Sequence, residues 1–157
     1  MRLASLLLFF VVALSAWGQK YDGPRPPKKD LIYLVHADNL IPTEAAEAKE
    51  EGKKDDPTYT VAGVNSPART PMAEPIFILE SDSMTPDRIE LYKMDVKSGH
   101  REVRISARKG RGSKALRLTV TRLDRGLFKL EASEPLENGQ YALSPSGVNH
   151  VFLFEVY

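Results

Sequence analysis

Pro135-Leu-Glu-Asn-Gly-Gln-Tyr-Ala-Leu-Ser-Pro145, followed closely by Val151-Phe-Leu-Phe-Glu-Val-Tyr157, decides how this chain is read. Asn138-Gly139 is a tight-turn signal, because both residues tolerate positive φ. Gln140 to Ser144 then places Tyr141 and Leu143 on one face, as a short strand does. Pro145-Ser-Gly147 breaks it. Val151 to Tyr157 carries apolar side chains on both phases, which predicts a central strand buried from both sides. A strand of that kind has to be enclosed by the rest of its domain.

Working outward, the pattern from Ile76 onward is almost wholly β. Val103, Ile105 and Ala107 alternate with Glu102, Arg104, Ser106 and Arg108, the signature of a half-buried strand. Leu116, Leu118 and Val120 repeat that alternation, as do Phe128, Leu130 and Ala132. Ser98-Gly99 and Asp124-Arg125-Gly126 supply turns. Between Ile89 and Val96 the phase slips: Ile89 and Leu91 share one face, then Tyr92, Met94 and Val96 the other. Either a bulge near Leu91 or burial on both sides explains it. Upstream, Leu31 to Val35 is a strand apolar on both faces, and Pro42 closes its segment.

Thr43 to Lys54 is rich in Ala, Glu and Lys, with Thr43 as a cap and Gly52 as a stop. Its composition fits a short surface helix or a charged loop. Gly63 to Pro75 holds three prolines and reads as a crossover loop between two sheets. Nine strand starts emerge, at Leu31, Thr58, Ile76, Ile89, Arg101, Ala115, Leu127, Gln140 and Val151. The later ones recur at roughly 11–14 residues, near the spacing of a sandwich. The fold class expected is all-β, an antiparallel β-sandwich with at most one short surface helix.

The N-terminus has a different character. Met1-Arg2 carries positive charge, and Leu3 to Leu14 is an apolar run of about a dozen residues, the length of a signal-peptide core and too short for a membrane span. Ala16-Trp17-Gly18 places small residues at −3 and −1 of a cleavage site. The expected organisation is a signal peptide over 1–18, a Pro-rich spacer over 19–29 and a single β-sandwich domain over 30–157. The mature protein is expected to be secreted or periplasmic, with no transmembrane segment. Cleavage leaves about 140 residues, enough for one domain with a sizeable core. It removes one charge, Arg2, from a chain of 22 basic and 21 acidic residues, so the mature protein is formally neutral. Neutrality argues against a general nucleic-acid binder. The absence of cysteine closes thiol catalysis and thiolate metal sites, and leaves the domain to hold by packing alone.

No Gly-x-Ser-x-Gly, His-Glu-x-x-His or phosphate-binding glycine loop is present. His36, His100 and His150 sit at predicted strand ends with no metal-ligand spacing, and no cofactor is expected. The uneven feature is charge. Between Lys97 and Lys129 eleven basic residues face only Glu102 and Asp124, a net charge of +9. Arg104, Arg108, Arg117 and Lys129 fall on outward phases of successive strands, where they could form one basic face for an anionic polymer. A solvated sheet face protected against edge pairing accounts for the same residues. Phe128, the segment's lone aromatic, is on an inward phase, which counts against binding of single-stranded nucleic acid.

The Leu136-x-x-Gly139-x-Tyr141-x-Leu143 strand and the aromatic-rich Val151-Phe-Leu-Phe-Glu-Val156 resemble the last two strands of Ig-like β-sandwich domains in uncharacterised bacterial envelope proteins. The resemblance covers about 25 residues. It implies the sandwich fold and an envelope setting, and carries over no catalytic or binding residue. The expected function is therefore an exported, non-enzymatic binding or scaffolding module in the cell envelope, with another envelope protein or an anionic polymer as its expected partner. The alternatives are a polyanion- or carbohydrate-binding module using the basic face, and an enzyme of unrecognised type.

Overall fold

The computed structural model describes residues 20–106 and 110–157, so the expected signal peptide and Arg108 lie outside the described residues. Thirteen strands form two sheets among them. The first sheet contains β1 (Ile32–His36), β2 (Asn39–Pro42), β7 (Ile76–Glu80), β10 (Leu118–Asp124) and β11 (Leu127–Ala132), in the order β10-β11-β7-β1-β2. The second contains β3 (Glu44–Glu47), β4 (Lys49–Lys53), β5 (Asp56–Ala62), β6 (Arg69–Thr70), β8 (Ile89–Lys97), β9 (His100–Arg104), β12 (Gly139–Pro145) and β13 (His150–Val156). Its order is β3-β13-β12-β8-β9-β5-β4, with β6 lying parallel beside β13. The remaining pairings are antiparallel, and the architecture is all-β and sandwich-like. No helix among the described residues is long and apolar enough to cross a membrane.

The second sheet is not flat. Its two edge strands, β3 and β4, are separated in sequence by Ala48 alone, yet β3 pairs with β13 and β4 pairs with β5. One bent segment therefore serves both edges, and the sheet has to curl towards itself as a half-barrel. The Ala48 N–H donates to the Asn149 carbonyl at 2.7 Å, which holds the bend.

Side-chain volume on the shared strands divides the interior in two. Between the sheets lies a core of large side chains, among them Phe77, Leu91, Tyr141, Leu143, Phe152 and Phe154. The Tyr141 and Phe154 rings stack with centroids 5.4 Å apart, and Phe77 meets Phe154 edge-on at 4.8 Å. Inside the curl lies a second, smaller cluster of Ala48, Val61, Tyr92, Met94, Val103, Ala142, Val151 and Leu153. Strands β8, β12 and β13 contribute alternate residues to each, so the final strand is buried on both sides as expected. The same two-sided burial explains the phase slip in β8. Leu91 faces the first core and Tyr92 and Met94 the second, while the register against β12 runs unbroken from Ile89 to Met94. Leu118 and Val120 pack against the first core; Phe128 is half-buried and belongs to neither cluster.

Several expectations are corrected. Thr43 to Lys54 is neither a helix nor a loop: it forms β3 and β4. A helix of about eleven residues is marginal without packing, whereas this segment satisfies the open edges of β13 and β5. Thr43 caps no helix; its hydroxyl donates to the Ile32 carbonyl at 2.6 Å. Gly52 ends no helix either. It stands at φ 97° at the end of the β4–β5 pairing, where a Cβ would lie 3.2 Å from the Asp56 carbonyl oxygen. Asn138 keeps a negative φ, and residues 133–138 cross between sheets instead of making a two-residue turn. Ser98-Gly99 does make one, with φ of 47° and 83°, as the β8–β9 hairpin requires. Strands β2, β3, β4 and β6 exceed the nine expected, being short or polar. Lys20 to Lys29 has no regular secondary structure but is tied to the domain: Pro26 is buried, Arg25 pairs with Asp124, and Lys29 reaches Asp82 at 2.6 Å.

Candidate functional site

The curl encloses a cavity of about 410 Å³. Its apolar wall follows from strand phase. Tyr92 and Met94 project from β8, Val103 from β9, Tyr59 and Val61 from β5, Ala142 from β12 and Val151 from β13. The inward residues of β12 and of the β3–β4 bend that line it are small, Ala142 and Ala48.

Two tyrosine–glutamate pairs stand at the mouth. Glu90 lies two residues before Tyr92 on the same face of β8, and its Oε2 accepts the Tyr92 hydroxyl at 2.8 Å. Glu50 faces Tyr59 directly across the β4–β5 ladder. Burial pushes the Tyr92 phenol far above its ordinary 10, and the hydrogen bond to Glu90 pushes it further. Tyr59 is raised by burial first and then by Glu50. Both glutamates are exposed. The turn between β12 and β13 forms the lip, with Val148 53% exposed and yet lining the cavity.

The opposite end of the curl is closed. Arg101, 1% exposed, projects from β9 beside Val61 and forms a bidentate pair with Glu44 at 2.7 and 2.8 Å. It also donates to the carbonyls of Gly63 and Ala62. The loop that follows β5 packs beside it: the Ser66 N–H donates to Gln140 Oε1 at 3.0 Å, and the Ser66 hydroxyl to the Leu153 carbonyl at 3.1 Å. Ion pair and loop together occupy that end of the curl.

The residues singled out from sequence lie elsewhere. Arg104 is on β9 of the curled sheet and makes a two-point contact with Asp56. Lys129 is on β11 of the other sheet and pairs with Glu131 at 2.9 Å. Arg117 is exposed just ahead of β10. The structure thus places Arg104 and Lys129 on different sheets. Two further members of the basic run are also matched, Lys97 by Glu102 and Arg101 by Glu44. The histidines remain apart: His100 contacts Glu102 and His150 contacts Glu47, each at 2.9 Å. Among the described residues no group of three or more His, Cys, Asp or Glu is arranged to hold a metal ion.

Sequence reading did not find the cavity. Its signal was present in the second phase of the two-sided strands, where Ala142 and Val151 stand opposite larger residues on the first phase. Comparison with protein-family models, with curated proteins and with solved structures finds no match to this chain.

Proposed function

We propose that this chain is an exported, non-enzymatic binding module of the Ig-like sandwich kind, acting in the cell envelope, and that the cavity of the curled sheet is its site. The observation that carries the reading is the cavity's composition. It is apolar and aromatic within, closed at the floor and polar at the mouth, the arrangement of a small-molecule pocket. Its volume of about 410 Å³ is within the usual range for such pockets. The described lining residues include no histidine, and the Glu90 carboxylate is engaged by the Tyr92 hydroxyl, which supports binding over acid–base chemistry. The apolar run Leu3–Leu14 and the small residues at Ala16 and Gly18 support export.

The polyanion reading draws on Arg111, Lys114 and Arg117, which are exposed. It is weakened because Arg101, Arg104, Lys97 and Lys129 of the same run already face carboxylates. The test of the main reading is displacement of an apolar fluorescent probe from the purified protein. Wild type is expected to take up the probe, and Ala142→Trp, which fills the cavity, to take up little. Equal uptake by a folded Ala142→Trp variant overturns the reading. Mass spectrometry of the exported protein is expected to find Gln19 first; retention of Met1 overturns the export part.

A further inference from the structure

We propose that the occupant of the cavity is a cationic amphiphile: an apolar chain bearing an ammonium head. The inference rests on the cavity being a binding site and names its ligand class. Depth and mouth impose different chemistry. Met94, Val103, Ala142 and Val151 line an interior that offers dispersion contact, and Val148 extends that surface to the lip. A chain seated there leaves water at roughly 25 cal/mol per Å² of apolar surface, with no polar partner required.

The head would meet a negative rim. Glu50 and Glu90 both line the cavity, are both exposed, and stand beside tyrosine rings. Each carboxylate has about four lone-pair sites. The Tyr92 hydroxyl uses one of those on Glu90. The free positions accept a donor from outside, and a cation satisfies them best. The aromatic faces of Tyr59 and Tyr92 add attraction for an ammonium group within about 6 Å. The nearby turn offers Ser144, Ser146 and Asn149, which are neutral. Among the described residues no lysine or arginine lines this cavity, so an anionic head would sit against two carboxylates without compensation from them.

The test is calorimetric titration of the mature protein with three probes of one chain length: octylammonium, octanol and octanoate, each below its aggregation concentration. The cation is expected to bind at least ~10-fold more tightly than octanoate, with octanol between, and this preference should shrink as salt screens the exposed rim. Glu50→Gln with Glu90→Gln, both at exposed positions, should bring the cation down to the affinity of octanol while leaving octanol unchanged. Equal or tighter binding of octanoate, or a double variant that keeps the preference, overturns the inference but leaves the cavity as a binding site. Absence of binding by all three probes to a folded protein, or binding that persists in folded Ala142→Trp, overturns both.

Discussion

Strands β8, β12 and β13 present two faces, and the two faces are packed differently. Towards the five-stranded sheet they carry Leu91, Tyr141, Leu143, Phe152 and Phe154, each at most 1% exposed. Towards the inside of the curl they carry Tyr92, Met94, Ala142, Val151 and Leu153, whose smaller total volume leaves about 410 Å³ open. The backbone is common to both, so the difference is one of side-chain volume and sheet curvature. A packed interface and a binding cavity can be built back to back on one wall, because successive side chains of a strand point to opposite faces. The polar groups divide in the same way. The first core buries almost nothing ionisable but the Tyr141 ring, whose hydroxyl donates to the Glu137 carbonyl at 2.7 Å. The curled side keeps a buried ion pair at its floor and carboxylates at its mouth.

The comparison breaks most severely at Phe154. It touches Phe77 and Tyr141 in the dry core, and Phe154→Ala should cost ~3–5 kcal/mol, read as a lowered urea midpoint. A loss under about 1 kcal/mol would mean that the face is no better packed than the cavity side. On the curled side the largest effect should come from the floor. Arg101→Ala strands Glu44 and two carbonyls, and is expected to cost about 3 kcal/mol, the low end for a broken buried pair because Glu44 is partly exposed. Replacing both Arg101 and Glu44 by Leu should recover much of that loss, since the desolvation of two charges is then removed as well.

Added volume sharpens the contrast. Leu91→Phe enlarges a residue in the filled core and should cost ~1–3 kcal/mol, whereas Ala142→Leu adds its volume at a residue that lines the cavity and should cost less. Similar costs at both positions would show the cavity to be closed in solution. The smallest expected effect is alkaline. Tyr92 ionises above its ordinary 10 in the folded protein, so its contribution to stability is complete below pH 10 and is lost as pH rises towards the higher folded value. Tyr92→Phe should flatten that part of the alkaline stability profile and remove one late-ionising phenol from a spectrophotometric titration. An unchanged titration would place Tyr92 in water.

Much of the fold was legible because local chemistry and tertiary packing agree. Val151 to Val156 is apolar on both phases and is buried on both faces. Ser98-Gly99 adopts the positive φ angles that its hairpin needs. The Ala, Glu and Lys of Thr43 to Lys54 favour helix, yet backbone pairing to two open strand edges outweighs a preference worth only tenths of a kcal/mol per residue. Sequence also drew attention to the basic run, where Arg101 reads like its neighbours. Only the fold distinguishes the most buried charge among the described residues from the exposed Arg117.

The sequence by itself determined an all-β chain, the two-sided character of its last strand and the separate chemistry of residues 1–18. Those properties depend on residues near one another in the chain: alternation with a period of two, turn residues, and an apolar run of fixed length. Tertiary structure alone decided that Glu44 to Lys53 would join both edges of one sheet, that Arg101 would meet Glu44, and that Glu50 and Glu90 would stand at one mouth. These outcomes depend on sheet curvature and strand order, which bring together residues that no local pattern relates.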